Sequence, residues 1–268
     1  MDIRALKVPA VAALVVLVVG AIIEMVWRGA GALAGSACAT GLVVWWTRQL
    51  HGRAAHESRM VAAHAQDAAA MPLLMSLLPA DVPHSSFSLC PAALLRILND
   101  IAFQEHQTIV ECGAGVSTLL FGAKFRQLGA GHVWSIEHDP RWAAYMRRLI
   151  ERHDLGEWIT LVEAHLVESR IAGRDISWYD ASALGRVLSL PKIDVLLVDG
   201  PPMGSGRLNR FGALPTFRQQ LSERSLVVLD DAYRPGERSV ARAWRQLGGL
   251  SMSLWRTSRG QYEFRIQP

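Results

Sequence analysis

The chain has 268 residues, half of them hydrophobic, which is long enough for one α/β domain with additions and apolar enough for a real core. Its net charge of +4 is unevenly placed: Arg4, Lys7, Arg28, Arg48 and Arg53 against Asp2 and Glu24 put +3 in residues 1–53, leaving +1 for the rest and excluding a basic nucleic-acid face. The three cysteines, Cys38, Cys90 and Cys112, form neither a disulfide framework nor a zinc pattern and fit reduced thiols in a cytosolic domain.

Two apolar runs come first. Residues 8–27 (VPAVAALVVLVVGAIIEMVW) are apolar except for Glu24, and at 1.5 Å per residue they are about long enough for the ~30 Å core of a bilayer. Residues 30–46 (AGALAGSACATGLVVWW) follow across a turn at Arg28-Gly29 and end in the Trp45-Trp46 pair. Basic residues flank both outer ends, so these runs predict two transmembrane helices forming a hairpin at the inner (cytoplasmic) membrane, with the remainder facing the cytoplasm. The competing reading is a signal peptide cleaved near Ser36-Ala37-Cys38-Ala39; two apolar cores with a terminal tryptophan pair favour retention.

Beyond this hairpin, residues 54–78 predict a connecting helix that ends before Pro79 and Pro83, and residues 92–101 predict a second. The chain then alternates: strand QTIVEC, strand at 131–137, helix PRWAAYMRRLIERHD, strand WITLVEA, strand KIDVLLVD, a helix around 214–221, and strand SLVVLDD. Strands of unbroken Val, Ile and Leu alternating with amphipathic helices indicate a parallel sheet covered on both faces. Residues 250–255 and 261–266 are two strand-like runs whose short link, RTSRG, requires antiparallel pairing. The expected fold is α/β, a doubly wound Rossmann-like sheet with a C-terminal antiparallel hairpin, preceded by two transmembrane helices. The expected parts are 1–53 (membrane hairpin), 54–84 (connecting helix and linker) and 85–268 (catalytic domain).

The stretch IVECGAGVSTLL carries the chemistry. Gly113 and Gly115 allow close backbone approach to a ligand, as in a dinucleotide loop, but Glu111 stands directly before them and Ser117-Thr118 replace the third glycine. A carboxylate beside two phosphates would be repelled, so a diphosphate ligand is disfavoured. S-adenosylmethionine, with an ammonium, a sulfonium and no phosphate, suits that acid, and Glu137 ends the next strand at the spacing of a ribose-binding carboxylate.

With the ECGAGVST loop, Glu137, the WYD at 178–180, VDGPP at 198–202, LDDAYRPGE from Leu229 and the reversed terminal hairpin, residues 85–266 resemble the class I S-adenosylmethionine-dependent methyltransferases. The resemblance implies cofactor contacts by Glu111, Gly113, Gly115, Ser117 and Glu137. Asp199 and Asp230-Asp231 end neighbouring strands, and in the similar catechol-type O-methyltransferases such positions hold a divalent metal that activates a hydroxyl. By that analogy Asp199, Asp230 and Asp231 are Mg²⁺ ligands. Two departures count against it: Asp231 stands where that group often has Asn, and no lysine follows Asp199 in the Gly200–Met203 turn. Without metal, Asp199 or a histidine, His165 or His138, is the candidate general base. The segment MGSGRLNRF (203–211) is glycine-rich and basic and suggests a mobile substrate loop, with Arg207 and Arg210 read as exposed.

The function expected is methylation of a hydroxyl on a small-molecule, sugar or lipid-linked acceptor. The alternatives are an inactive methyltransferase-fold membrane scaffold, disfavoured by three crowded carboxylates, and an NAD-dependent oxidoreductase, disfavoured by the missing third glycine.

Overall fold

The structure, a computed structural model, describes residues 3–27, 30–77, 82, 89–202, 204, 206 and 208–267. The turn expected at Arg28-Gly29, most of the linker around 79–88, and Met203, Ser205 and Arg207 of the expected substrate loop lie outside the described residues. Two compact units divide the chain, Met1–Val61 and Ala62–Pro268.

The first unit holds helix α1 (Ile3–Trp27) and most of helix α2 (Ala30–Met75). Gly20 and Gly35 are both buried, and a Cβ at Gly35 would lie 3.3 Å from the Gly20 Cα, so the two helices touch through their backbones. Leu14, Leu17, Val18 and Ile22 remain exposed on α1.

The membrane hairpin is corrected here. Among the described residues no helix is long and apolar enough to cross a membrane. The second apolar run is not an element of its own: it is diluted by Ser36, Thr40 and five glycine or alanine positions between 30 and 35. It also does not stop at Trp45-Trp46, but continues as one helix past Arg48, His51, Arg53, Glu57 and Arg59. The expected placement at the inner membrane rested on that hairpin and is withdrawn with it.

The second unit is built on a seven-stranded sheet. Before it comes α3 (Pro91–Gln104), which opens on a proline, a residue pre-shaped for the first helical turn, and buries Ala93, Leu94, Ile97, Leu98 and Ile101 at helical spacing. There follow β1 (Thr108–Cys112), α4 (Val116–Leu128), β2 (His132–Glu137), α5 (Pro140–Arg152), β3 (Ile159–Glu163), β4 (Leu166–Ile171), β5 (Arg174–Tyr179), α6 (Gly185–Leu188), β6 (Ile193–Val198), α7 (Ala213–Phe217), β7 (Leu221–Leu229), α8 (Pro235–Gln246), β8 (Leu250–Trp255) and β9 (Gln261–Ile266).

The sheet order is β3-β2-β1-β6-β7-β9-β8. The first five strands are parallel, and β9 pairs antiparallel with both β7 and β8. All six residues of β6 are buried because both faces are covered: Val195 and Leu197 join the cluster under α3, α4 and α5, while Leu196 and Val198 join the one under α7 and α8. This two-sided burial is why the central strands are continuous apolar runs. The expected Rossmann-like sheet and terminal hairpin are therefore present. Strand order reverses between β1 and β6, which pair from Ile109 with Val195 to Cys112 with Val198, and their carboxyl ends open the crevice where such folds bind ligands.

One element was not expected. β4 and β5 form a separate antiparallel hairpin, turning at Ala172 and Gly173, both with positive φ. Its outward positions are mostly polar and only Ile176, Trp178 and Tyr179 are buried, so its apolar periodicity is faint.

Candidate active site

The loop after β1 is shaped by two glycines from different strands. Gly113 has φ +95°, and a Cβ there would lie 3.2 Å from the Gly200 backbone nitrogen; a Cβ at Gly200 would meet the Gly113 Cα and the Cys112 carbonyl oxygen at 3.1 Å. The tips of β1 and β6 thus approach backbone to backbone, which only glycine at both positions permits. Gly115 then caps α4, donating its N–H to Thr118 Oγ1 at 2.9 Å.

Glu111 does not face the crevice. It is fully buried, and Ser117, Thr118 and Ser135 (3.0 Å) each donate a hydroxyl hydrogen bond to its carboxylate. Burial pushes its carboxyl up to about 7, against the three hydroxyls, which pull it down, and with Glu137 adding to the rise. The acid expected to touch the ligand instead braces the first turn of α4 from beneath, and Ser117-Thr118 stand in place of a third glycine because they supply its donors.

At the tip of β2, Glu137 accepts from the backbone N–H of Ala114 (3.1 Å), His138 (2.8 Å) and Asp139 (2.8 Å). Asp139 caps α5 by accepting from Arg141 N and Trp142 N, and the Trp142 indole donates to the Ala114 carbonyl at 2.8 Å. These bonds knit the glycine loop to the β2 tip and fix Glu137 and Trp142 as one wall.

The opposite wall holds the acidic cluster. Asp199, Asp230 and Asp231 offer oxygens that all lie within 4.8 Å of one another, close enough to share a cation. Asp231 adopts φ +59°, a left-handed conformation that aspartate tolerates better than most non-glycine residues. Guanidinium groups surround it: Oδ1 takes Arg259 Nη2 at 2.6 Å, and Oδ2 takes Arg234 at 2.7 Å and Arg210 at 3.3 Å. Asp230 accepts from Gln261 Nε2 at 2.6 Å on Oδ1, while its Oδ2 lies 3.8 Å from Arg259 Nε. Asp199 Oδ1 pairs with Arg210 at 3.1 Å. Burial, and then Asp230, hold the Asp199 carboxyl well above the usual carboxylate range against the pull of Arg210; burial and then Asp231 raise Asp230.

The two walls bound a cavity of about 610 Å³, lined among others by Gly113, Ser117, Glu137, Trp142, Asp199 and Arg210. Of the residues expected from the sequence, Gly113, Gly115, Ser117, Glu137, His138, Asp199 and Asp231 line it; Asp230 is buried behind the rim. His165 is exposed in the turn between β3 and β4 and does not line the cavity. Arg210, expected to be exposed, is 5% exposed and sits in the middle of the acids. Trp142, Arg234, Arg259 and Glu237 were not anticipated either; only the acid-rich strand tips, which demand counter-charge, could have pointed to the arginines.

Residues 110–232 match the family model described as "Methyltransferase domain". That stretch of the chain is similar to a methyltransferase domain. An enzyme of this class takes its methyl group from S-adenosylmethionine, the cofactor expected from the loop, and the oxidoreductase reading is set aside. Solved structures with the same fold include a methyltransferase from Podospora anserina with S-adenosylhomocysteine bound (13% identity, TM-score 0.54, covering 76% of this chain and 88% of that one). Another is an O-methyltransferase from Bacillus cereus in complex with S-adenosylhomocysteine (14% identity, TM-score 0.51, covering 76% and 91%). No curated protein matches the sequence.

Proposed function

We propose that this methyltransferase domain binds S-adenosylmethionine between the glycine loop and Glu137 and transfers its methyl group to a hydroxyl oxygen of a small-molecule acceptor, with Asp199 as general base. The observation that carries the proposal is the cavity at the sheet's switch point, with the Gly113–Ser117 loop and Glu137 on one side and Asp199 on the other. The glycine backbone leaves room for the cofactor's methionine portion, the first N–H groups of α4 favour its carboxylate, and Glu137, held at the cavity wall by three backbone N–H groups, would accept from ribose hydroxyls. In the transfer, the acceptor oxygen forms a bond to the methyl carbon as the sulfur–methyl bond breaks, and the hydroxyl proton passes to Asp199. A carboxylate whose pKa is raised by burial is a stronger base than an exposed one, which suits this step. The O-methyltransferase in the Bacillus cereus complex supports oxygen as the acceptor atom. The argument for a lipid-linked acceptor rested on the membrane hairpin and falls with it.

Calorimetric titration with S-adenosylhomocysteine tests the cofactor half. The expected result is saturable binding by the wild type and a loss of about tenfold or more, equivalent to ~1.4 kcal/mol, in Glu137→Ala. Equal affinity in the two proteins would refute the assignment of Glu137. The acceptor half is tested by incubating the protein with S-adenosylmethionine and a metabolite extract and searching by mass spectrometry for O-methylated products.

A further inference from the structure

We infer that Arg210 occupies the place of a divalent cation in this site, so that the proposed methyl transfer runs without a metal and Asp199 is positioned by a guanidinium. This deepens the proposed function and rests on it. The reasoning starts from donor counting. A guanidinium has five N–H donors, and a divalent ion bound by carboxylates needs oxygens with unused lone pairs. Arg210 Nε donates to the Pro201 carbonyl at 3.3 Å, Nη1 to the Asp230 carbonyl at 3.4 Å and to Asp231 Oδ2 at 3.3 Å, and Nη2 to the Asp199 carbonyl and to Asp199 Oδ1 at 3.1 Å. All five donors are engaged, and they reach the tips of β6 and β7 and the turn after β6 together.

Asp231 is committed in the same way. Both oxygens of Asp231 are held by guanidinium groups, those of Arg259, Arg234 and Arg210. Asp199 Oδ1 is held by Arg210, and Glu237 Oε1 lies 3.7 Å from Arg210 Nη1. Four carboxylates, Asp199, Asp230, Asp231 and Glu237, therefore face three guanidinium groups. A dipositive ion between the three aspartates would stand within a few ångströms of Arg210, and like charges that close in a poorly solvated site repel by several kcal/mol. Three aspartates look like a metal triad in the sequence, but the cation that the cluster requires is already in the chain.

Arg210 has no donor left over for substrate and is a positioning residue. It fixes one oxygen of Asp199 while the side chain keeps 21% exposure on the cavity. Arg210→Met would strip Asp199 of the guanidinium that pairs with it while Asp231 keeps Arg234 and Arg259, which makes a strong test: the variant should gain metal affinity over the wild type.

The experiment uses the full chain stripped with EDTA, with Mn²⁺ binding followed by electron paramagnetic resonance. The wild type and Arg210→Lys should leave the free-Mn²⁺ signal undiminished at equimolar protein, and Arg210→Met should bind Mn²⁺ at least tenfold more tightly than either. Wild-type affinity for S-adenosylhomocysteine should be the same with EDTA or Mg²⁺ present, and turnover with any acceptor identified should be insensitive to EDTA, reduced in Arg210→Met and recovered in Arg210→Lys. Stoichiometric Mn²⁺ binding by the wild type, lost in Asp231→Asn, would overturn the inference. If Arg210→Met does not fold by circular dichroism, the wild-type and Arg210→Lys measurements decide. A wild type that binds neither Mn²⁺ nor S-adenosylhomocysteine would defeat the functional proposal while leaving the metal-free cluster standing.

Discussion

Glu111→Gln gives the sharpest physical test of the loop. The carboxyl is fully buried beneath α4 and its pKa is raised from the ordinary 4.5 to about 7, chiefly by burial. The folded state therefore holds a proton that the unfolded chain has released between these two values. A raised acid pKa means that Glu111 penalises folding least below pH 4.5 and that stability is lost progressively as pH climbs from 4.5 to 7. At about 1.4 kcal/mol per pH unit, the loss across that window is about 3 kcal/mol. Glutamine keeps the shape and does not titrate, and the hydroxyls of Ser117, Thr118 and Ser135 can rotate to accept from its amide. Urea unfolding of both proteins from pH 5 to pH 8 measures the effect. The stability of the variant relative to wild type should rise by roughly 2–3 kcal/mol across that range. Parallel curves would mean that Glu111 titrates alike in both states, and the argument from burial would fail.

Asp199→Asn should lower kcat for the proposed transfer by about 10²–10⁴-fold while leaving S-adenosylhomocysteine affinity within about threefold, as measured by steady-state kinetics and calorimetry. An unchanged kcat would exclude Asp199 as the base. His165→Ala should alter neither kcat nor affinity, since the side chain is exposed away from the cavity. Gly200→Ala should destabilise the domain by about 1–3 kcal/mol in chemical denaturation, because the new methyl group would meet Tyr179 Oη at 2.8 Å and the Cys112 carbonyl oxygen at 3.1 Å. Wild-type stability in that variant would show that the two strand tips are further apart than described.

The parallel core was legible because β6 and the second half of β7 are buried on both faces and so appear as largely apolar runs. The terminal hairpin was legible from its short glycine-containing link. Hairpin β4–β5 was not, because its residues are largely polar and exposed and its pairing depends on a turn at Ala172-Gly173 with only a weak turn composition. In the site, residues at strand tips were readable because topology places them. Arg210 was not, because every group that buries it is distant in sequence: Asp199 by 11 residues, Asp231 by 21. Composition around it is glycine-rich and basic, which by itself describes a surface loop. The second apolar N-terminal run misleads for the opposite reason: its local hydrophobicity does not show that the helix continues past Arg48, Arg53 and Arg59.

Glu111 shows how a correct local observation can lead to the wrong contact. In the sequence the acid before the glycine turn reads as a charge matched to a cationic cofactor, yet its carboxylate is turned toward three hydroxyls and sits under the loop. Burial raises its pKa to about 7, so it holds a full negative charge less readily than an exposed acid and adds a weaker field at the cavity. The acids that line the cavity beside the glycine loop are Glu137 and Asp139. The two acids separate experimentally. Glu111→Gln should change stability with pH and scarcely move S-adenosylhomocysteine affinity, whereas Glu137→Ala should weaken that affinity about tenfold or more. The reverse pattern would restore Glu111 as the ligand contact and remove the division between an acid that builds the loop and an acid that uses it.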